Sequence, residues 1–459
     1  MEKENAVKIV EVCKISPSSH SSSKFSLPLA AFDWLFINFP PLDRVIYYSI
    51  SHNYSDSFFH SIIIPKLKHS LSLTLSHFLP LAGNLLWPAD SPLPFILYSP
   101  NDAVSFTVAE TDSDFHRVSG NHPRQIKDSY PFVPMIQPPN SSATAVPLMA
   151  VQVTHFPNHG FCIGLSTHHV LLDDKSFSLF FKSWAHINRC QLESLSPNYN
   201  LPSEFTPSFE RPTNVLRNPL DFVPKKRSLK FSQLLLMSPS NWILGTFELT
   251  PTHIEKLKKR VLEEIEDDQK GGSEEELHLS TFVVAYAYAL ICLIKAKQGE
   301  CKEVVHLSLA ADVRGLLDPP ISSNYFGNCV THRGMLVEAR EFREEGFANI
   351  VKKISHLILE VKGGSSAIEA HKPPDVDEQQ HSFLSEIEAC TVVASPKFKY
   401  YQNDFGWGNP NKCEIVSLGS NNIALTDTRD GDGGIEVSLL LPNPHQMDIF
   451  VSLIAQCLN

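Results

Sequence analysis

Apolar residues along this chain follow two rhythms, one of helices and one of strands, and their alternation predicts a mixed α/β fold. After Pro65 the side chains Leu67, Leu71, Leu75 and Phe78 return at helical spacing, which predicts an amphipathic helix ending at Pro80. Short strands are expected at PFILYSP and VSFTVAE. From Ala145 to Leu165 the runs VPLMAVQVTHF and GFCIGLS, parted by Pro157 and Asn158, predict a hairpin aimed into the core. A helix over Ser176–Arg189 resumes at once, with Phe180, Phe181 and Trp184 to one side.

The second half has its own series. A strand at GTFELT leads to a basic helix over Thr252–Leu262, and the acidic Gly/Ser stretch Glu263–Glu276 reads as a solvated loop. A buried helix begins at Thr281 and leads to a strand at VVHLSLAADVR. Near the end, strands at IALTD and IEVSLLL flank a turn at Arg429–Gly434, and a closing helix carries Met447, Phe450, Val451 and Ile454. Between the halves, residues 190–225 are rich in Ser, Pro and Asn and carry little periodicity, the composition of a crossover. Two domains are predicted, 1–195 and 220–459.

Size agrees, since 459 residues of which 42% are hydrophobic can bury more than one core. A net charge of −11 argues against broad binding to nucleic acid or an anionic membrane and leaves room for a small anionic ligand at a local basic patch. The longest apolar run, Phe282–Ile294, falls short of the roughly 20 residues that span a bilayer. The N-terminus, MEKENAVKIVEVCKISP, is charged from its second residue and lacks the apolar core of a secretory signal. Nine cysteines without a CxxC pair point away from zinc ribbons and redox motifs and toward reduced thiols in a cytoplasmic protein. Cys162 and Cys292 sit inside apolar runs and read as small hydrophobes.

Chemistry concentrates in His168-His169-Val170-Leu171-Leu172-Asp173-Asp174, just past the second strand of the predicted hairpin. Three readings compete on these residues. They are satisfied histidines at a strand end, or a metal site built on His168, His169, Asp173 and Asp174, or a general base held by a short stiff turn. No further His, Cys or acidic cluster at ligand spacing lies nearby to complete a metal shell, and the tip of a buried strand is a rigid place for a reactive group.

The wider pattern resembles the plant BAHD acyltransferases over almost the whole length. The resemblance is carried by an HxxxD motif from His169 to Asp173, a DFGWG motif from Asp404 to Gly408, Asn324-Tyr-Phe-Gly-Asn-Cys329, and the early runs DWLFINFPPLDR and LSHFLPLAGNLLWP. HxxxD alone is weak, but the two motifs in order, roughly 230 residues apart, are specific together. The YFGNC form and the early runs are similar to the branch that acylates sugars of flavonoid and phenolic glucosides.

This resemblance implies two chloramphenicol-acetyltransferase-like domains with mixed sheets and a channel between them. His169 would stand mid-channel as the base that takes a proton from an acceptor hydroxyl, and Trp407 would offer its indole N–H to the oxyanion. Asp173 would be structural, paired with Arg314, and Asp404 would anchor its loop. Acyl-CoA would be co-substrate, with neither metal nor bound cofactor, and the protein a monomer. For CoA, Lys256, Lys259 and Arg260 form a plausible phosphate clamp or a plain solvated helix face. Ser280 and Thr281 match positions near the pantetheine arm, or cap their helix.

The acyl group divides malonyl from hydroxycinnamoyl donors. Some malonyl-specific relatives carry Arg four residues after the motif Asp, where this chain has Phe177, with Lys175 and Lys397 as substitutes. Malonyl-CoA ranks first, with a phenolic or flavonoid glucoside as acceptor. The family's usual Gly after the motif Asp is here Asp174, a residue that tolerates positive φ. That departure keeps open a catalytically silent, ligand-binding alternative.

Overall fold

Every residue of the strands Met149–Phe156 and Gly160–Thr167 is buried, so this hairpin needs cover on both faces. It lies inside a six-stranded sheet ordered Val7–Ile15, Val104–Thr111, Met149–Phe156, Gly160–Thr167, Leu42–Ser49 and Lys412–Ile415. Gly160 pairs with Phe156 on one side and Ser49 on the other, and Thr167 with Met149 and Leu42. The helices Ile64–His77 and Asp174–Leu192 pack together beside it, joined where Trp184 Nε1 donates to Ser70 Oγ at 2.9 Å. The computed structural model describes residues 7–18, 23–50, 56–136, 144–192, 201–211, 227–232, 241–268, 277–344, 346–363 and 387–456.

The second half is built on a seven-stranded mixed sheet ordered Val330–Glu338, Val304–Asp312, Ile387–Val393, Asn422–Asp427, Ile435–Leu441, Ile243–Leu249 and Arg124–Gln125. Its centre is the helix Thr281–Ala296, which packs against Phe347–Lys362 and Pro444–Ala455 and is buried from Val283 to Ile294. Two main hydrophobic cores result, one gathered largely from residues 27–231 and one from 243–454. Among the described residues no helix is long and apolar enough to cross a membrane.

Two features depart from the linear reading. The helix predicted to stop at Leu262 runs from Pro251 to Asp268, because Lys259 and Arg260 find Glu263 and Glu264 one turn on and carry the helix into the acidic stretch; residues 269–276 of that stretch lie outside the described residues, as do 193–200 and 212–226 of the crossover. The halves also exchange strands. Lys412–Ile415 pairs with Leu42–Ser49 in the first sheet, while Arg124–Gln125 pairs with Ile243 and Leu244 in the second. A division of the chain at the crossover therefore cuts both sheets.

The exchange is fastened by charge. Arg124 of one lent strand and Glu414 of the other form an ion pair with both side chains 2% exposed, and Ser129 Oγ also donates to Glu414. Removing one partner strands the other charge in a dry interior. Glu414→Ala is expected to destabilise the protein by about 3–5 kcal/mol, read as a lowered urea midpoint, whereas a shift of under about 0.5 kcal/mol would mean that the pair is incidental.

Candidate active site

Past Thr167 the backbone reverses within a few residues. His168 accepts the Val170 N–H on its Nδ1 at 3.2 Å, and Val170, Leu171 and Leu172 turn into the core with no exposure. Asp173 then caps the helix Asp174–Leu192, its Oδ1 accepting the Ser176 N–H at 2.9 Å. With three apolar neighbours fixed inward, His169 is the residue of the turn left facing outward, onto a cavity of about 1580 Å³. Both halves line that cavity, with Phe36, Phe39, Arg44 and Asp174 from one and Ser280, Thr281, Asp312, His332 and Thr391 from the other.

Aromatic rings and one amide hold His169. Phe36 stacks on the imidazole with centroids 3.7 Å apart and planes within 10°, and Phe39 meets it edge-on at 5.8 Å. Asn328 Nδ2 donates to the His169 carbonyl at 2.8 Å, and the same amide group donates to Asp33 Oδ1 at 3.0 Å. Asp33 is fully buried, also accepts the Asn328 and Ala30 N–H groups, and faces Arg211 at 3.7 Å. The early DWL run, the YFGNC run and the His turn thus form one hydrogen-bonded chain. Burial pushes the His169 pKa down to about 4, with nearby Asp173 offsetting part of that shift. His168, wholly buried with Phe231 edge-on to its ring, is pushed to about 3 and has no face on the cavity.

The expected pairing of Asp173 with Arg314 is present, at 2.9 Å and 3.0 Å from Nη2 to the two carboxylate oxygens. Arg314 also meets Asp312 at 2.8 Å, Ser176 Oγ at 3.1 Å and the Gly327 carbonyl at 2.9 Å. Burial works against its charge, but Asp173 and Asp312 outweigh it and raise its pKa. Asp174 turns the other way and pairs with Arg44, whose guanidinium also lies 4.2 Å over the Phe177 ring. Lys175 pairs with Asp312 at 2.8 Å. Both carboxylates required by the metal reading of the turn are thus committed to guanidinium groups.

The DFGWG loop serves a different purpose from the one expected of Trp407. Asp404 Oδ1 accepts the N–H groups of Gly406 and Gly408 at 2.6 and 2.9 Å, which supports two glycines at φ +99° and +103°. Phe405 is buried against Phe181 and Trp184 in the first core. Trp407 packs edge-on against Phe161, 6.0 Å between centroids, and is absent from the cavity wall. Phe161 lies near the start of the strand that delivers His169, roughly 20 Å away at the rise of an extended strand. That distance corrects the reading of Trp407 as oxyanion donor: it fastens a loop of the second half to the first.

For CoA, Ser280 and Thr281 line the cavity, and Ser280 also caps its helix by accepting the Val283 N–H at 3.3 Å. Lys256, Lys259 and Arg260 do not line it, and the latter two are engaged by Glu263 and Glu264. The cations that do include Lys182, Lys362, Lys397 and Lys399, of which only Lys397 was singled out in sequence, and for the acyl group instead of CoA. Arg44, Phe36, Phe39, Asp33 and Asn328 were equally hidden as individual residues, although all five lie within the early DWLFINFPPLDR run and the YFGNC segment that carry the resemblance.

These features define an acyltransferase fold with a central histidine in an inter-domain channel. The chain matches the Transferase family over residues 5–455 and belongs to it, within its BAHD acyltransferases, enzymes that take acyl-CoA as co-substrate. It is 38% identical to phenolic glucoside malonyltransferase 1 of Arabidopsis thaliana, covering 99% of this chain and 98% of that protein. It is 34% identical to agmatine coumaroyltransferase of the same plant, over 98% of each. The crystal structure of vinorine synthase shares the fold with a TM-score of 0.64 at 21% identity, over 98% of each chain.

The clamp on His169 is open to test. Asn328→Asp puts a carboxylate against the His169 carbonyl and Asp33, so kcat is expected to fall about 100-fold, since misplacement of a catalytic group by about 1 Å costs that much. Steady-state kinetics at saturating acyl-CoA check it, and unchanged kcat would remove Asn328 from the positioning chain.

Proposed function

We propose that this enzyme transfers an acyl group from coenzyme A to a sugar hydroxyl of a phenolic or flavonoid glucoside, with His169 as general base. The observation that carries this reading is an imidazole held rigid on the wall of a two-domain cavity, with burial lowering its pKa to about 4. It is therefore neutral and able to accept a proton at any pH near 7. As the acceptor oxygen attacks the thioester carbonyl, its proton passes to the ring nitrogen that faces the cavity. The C–S bond then breaks, and the imidazolium returns the proton to the departing thiolate. An imidazolium so acidic is a willing donor in that second step.

For the acyl group, a malonyl donor is supported by the name of the 38% identical relative. A second reading, an uncharged hydroxycinnamoyl-type donor, is supported by the charges around His169, where Arg44, Lys175 and Arg314 all have carboxylate partners, and by the coumaroyltransferase relative. The acceptor class rests on the same glucoside-acylating relative and on a cavity large enough to hold two substrates.

Purified protein given malonyl-CoA or p-coumaroyl-CoA and a panel of phenolic glucosides is expected to release free CoA in step with acylated glucoside. No release with either donor would overturn the reading. His169→Ala is expected to lower kcat by about 10²–10⁴-fold, the usual worth of a positioned base. In the parent enzyme, kcat/KM should stay level from neutrality downward and be lost only as pH falls through about 4, where His169 protonates. An acid limb near the ordinary histidine value of about 6.5 would contradict the buried neutral base.

A further inference from the structure

Charges at the cavity wall bear directly on which acyl group the proposed transferase accepts. Arg44 stands on the strand Leu42–Ser49, beside the strand that delivers His169, and its charge acts on His169 by lowering its pKa further. It is the guanidinium to which a dicarboxylic acyl group would turn. Its Nε and Nη1 make no full hydrogen bond and have the Tyr400 hydroxyl as their polar neighbour, so the guanidinium has donors to spare. Yet the positive charge is already matched by Asp174.

Exposure of the two partners decides what an incoming acyl group meets. The Arg44 side chain is 6% exposed and sits over the Phe177 ring, whereas Asp174 is 21% exposed and lines the same cavity. The face of the pair turned to the ligand is therefore the carboxylate. Neighbouring cations do not change that balance. Lys175 is held by Asp312, and Arg314 is enclosed by Asp173 and Asp312. Lys182 lies two helical turns beyond Asp174, about 12 Å along the axis, and there it is acted on by Asp427 and Lys399. Lys397 adjoins Phe398, whose carbonyl accepts from Ser178 Oγ, about 6 Å up the same helix from Asp174. A malonyl carboxylate, two bonds from the thioester carbon, has to lie close to His169 and so close to Asp174.

We infer that the Arg44–Asp174 pair is the donor-selecting element of this enzyme: Asp174 masks Arg44, repels an acyl carboxylate, and restricts the enzyme to uncharged acyl-CoA thioesters. A like charge placed against a ligand in a partly dry site costs enough to set specificity, while an uncharged acyl group meets a dipole of no net charge. Phe36, Phe39 and Phe398 on the cavity wall suit such a group.

Malonyl-CoA and acetoacetyl-CoA are nearly the same shape and differ at the terminal oxygen or methyl, so their dissociation constants, measured by calorimetry on the full chain without acceptor, isolate the charge. The parent protein is expected to bind acetoacetyl-CoA at least about tenfold tighter than malonyl-CoA, and Asp174→Asn, which keeps the shape and removes the charge, to reverse that order. Asp174→Gly should do the same, and Arg44→Gln with Asp174→Asn should restore the preference for acetoacetyl-CoA. Equal or tighter malonyl-CoA binding by the parent protein overturns the inference, with no variant needed, and so does a ratio unmoved in both single variants. If neither thioester binds, it is the acyltransferase reading itself, on which this inference rests, that falls.

Discussion

The channel between the two halves depends on one carboxylate and one guanidinium. Asp173 belongs to the turn that carries His169, and Arg314 follows the strand Val304–Asp312 of the other half. Burying such a pair is costly unless every lone pair and proton finds a partner. Here they nearly all do: Asp173 also accepts the N–H groups of Ser176 and Cys329, and Arg314 also reaches Asp312, Ser176 Oγ and the carbonyls of Tyr325 and Gly327. The pair thus gathers three stretches of chain, 173–176, 312–314 and 325–329, at one point. Its contribution is geometric more than energetic, because a replacement by apolar groups of equal volume would lose the directions in which these partners are held.

Position at that junction explains how His169 can be both largely enclosed and available. The turn beneath it is closed by Asp173, its backbone is tied through Asn328 to Asp33, and Phe36 fixes the ring plane. Nothing in that set competes for the outward nitrogen as a donor of fixed charge. Desolvation then does the rest, keeping the imidazole neutral by making its cation expensive in a dry setting. The same dryness strengthens any dipole directed at the reacting carbonyl. Close holding and low pKa therefore come from one cause, the packing of two half-walls against a turn tied at Asp173 and Asn328.

How much of this was legible in the sequence follows the range of the contacts concerned. The helices Ile64–His77 and Thr281–Ala296 and the central hairpin repeat their apolar residues at short intervals, so local periodicity announced them. His169, Asp173 and Asp404 could be named because they lie in the motifs that carry the family resemblance, and Arg314 because that resemblance implies its pairing with Asp173. The strand exchange left no such mark, since Arg124 and Glu414 are 290 positions apart and each looks ordinary among its neighbours. Arg44 was hidden for the same reason, since in sequence its neighbouring charge is Asp43 and only folding brings it to Asp174. Basic residues at helical spacing misled in the opposite sense, because Lys259 and Arg260 fit their own glutamates as well as any phosphate. Trp407 misled because a motif can exist to keep a loop in shape, and Asp404 with two glycines at positive φ is sufficient cause for that.

Two adjacent carboxylates, Asp173 and Asp174, meet different guanidinium groups, and their burial separates their tasks. Asp173 is 2% exposed and surrounded by donors, so its charge is committed to the fold even though it borders the cavity. Asp174, one residue on, shares the wall of the cavity with its partner, where any change in its charge is felt by whatever binds there. A helix beginning at this place favours negative charge in its first turn, so the fold tolerates the second carboxylate at little cost. Arg44, only 6% exposed, also needs this carboxylate, so Asp174 serves the fold through its partner and the ligand through its own exposed face. The turn that holds the base in place is in this way also the turn that tunes the charge of the pocket in front of it.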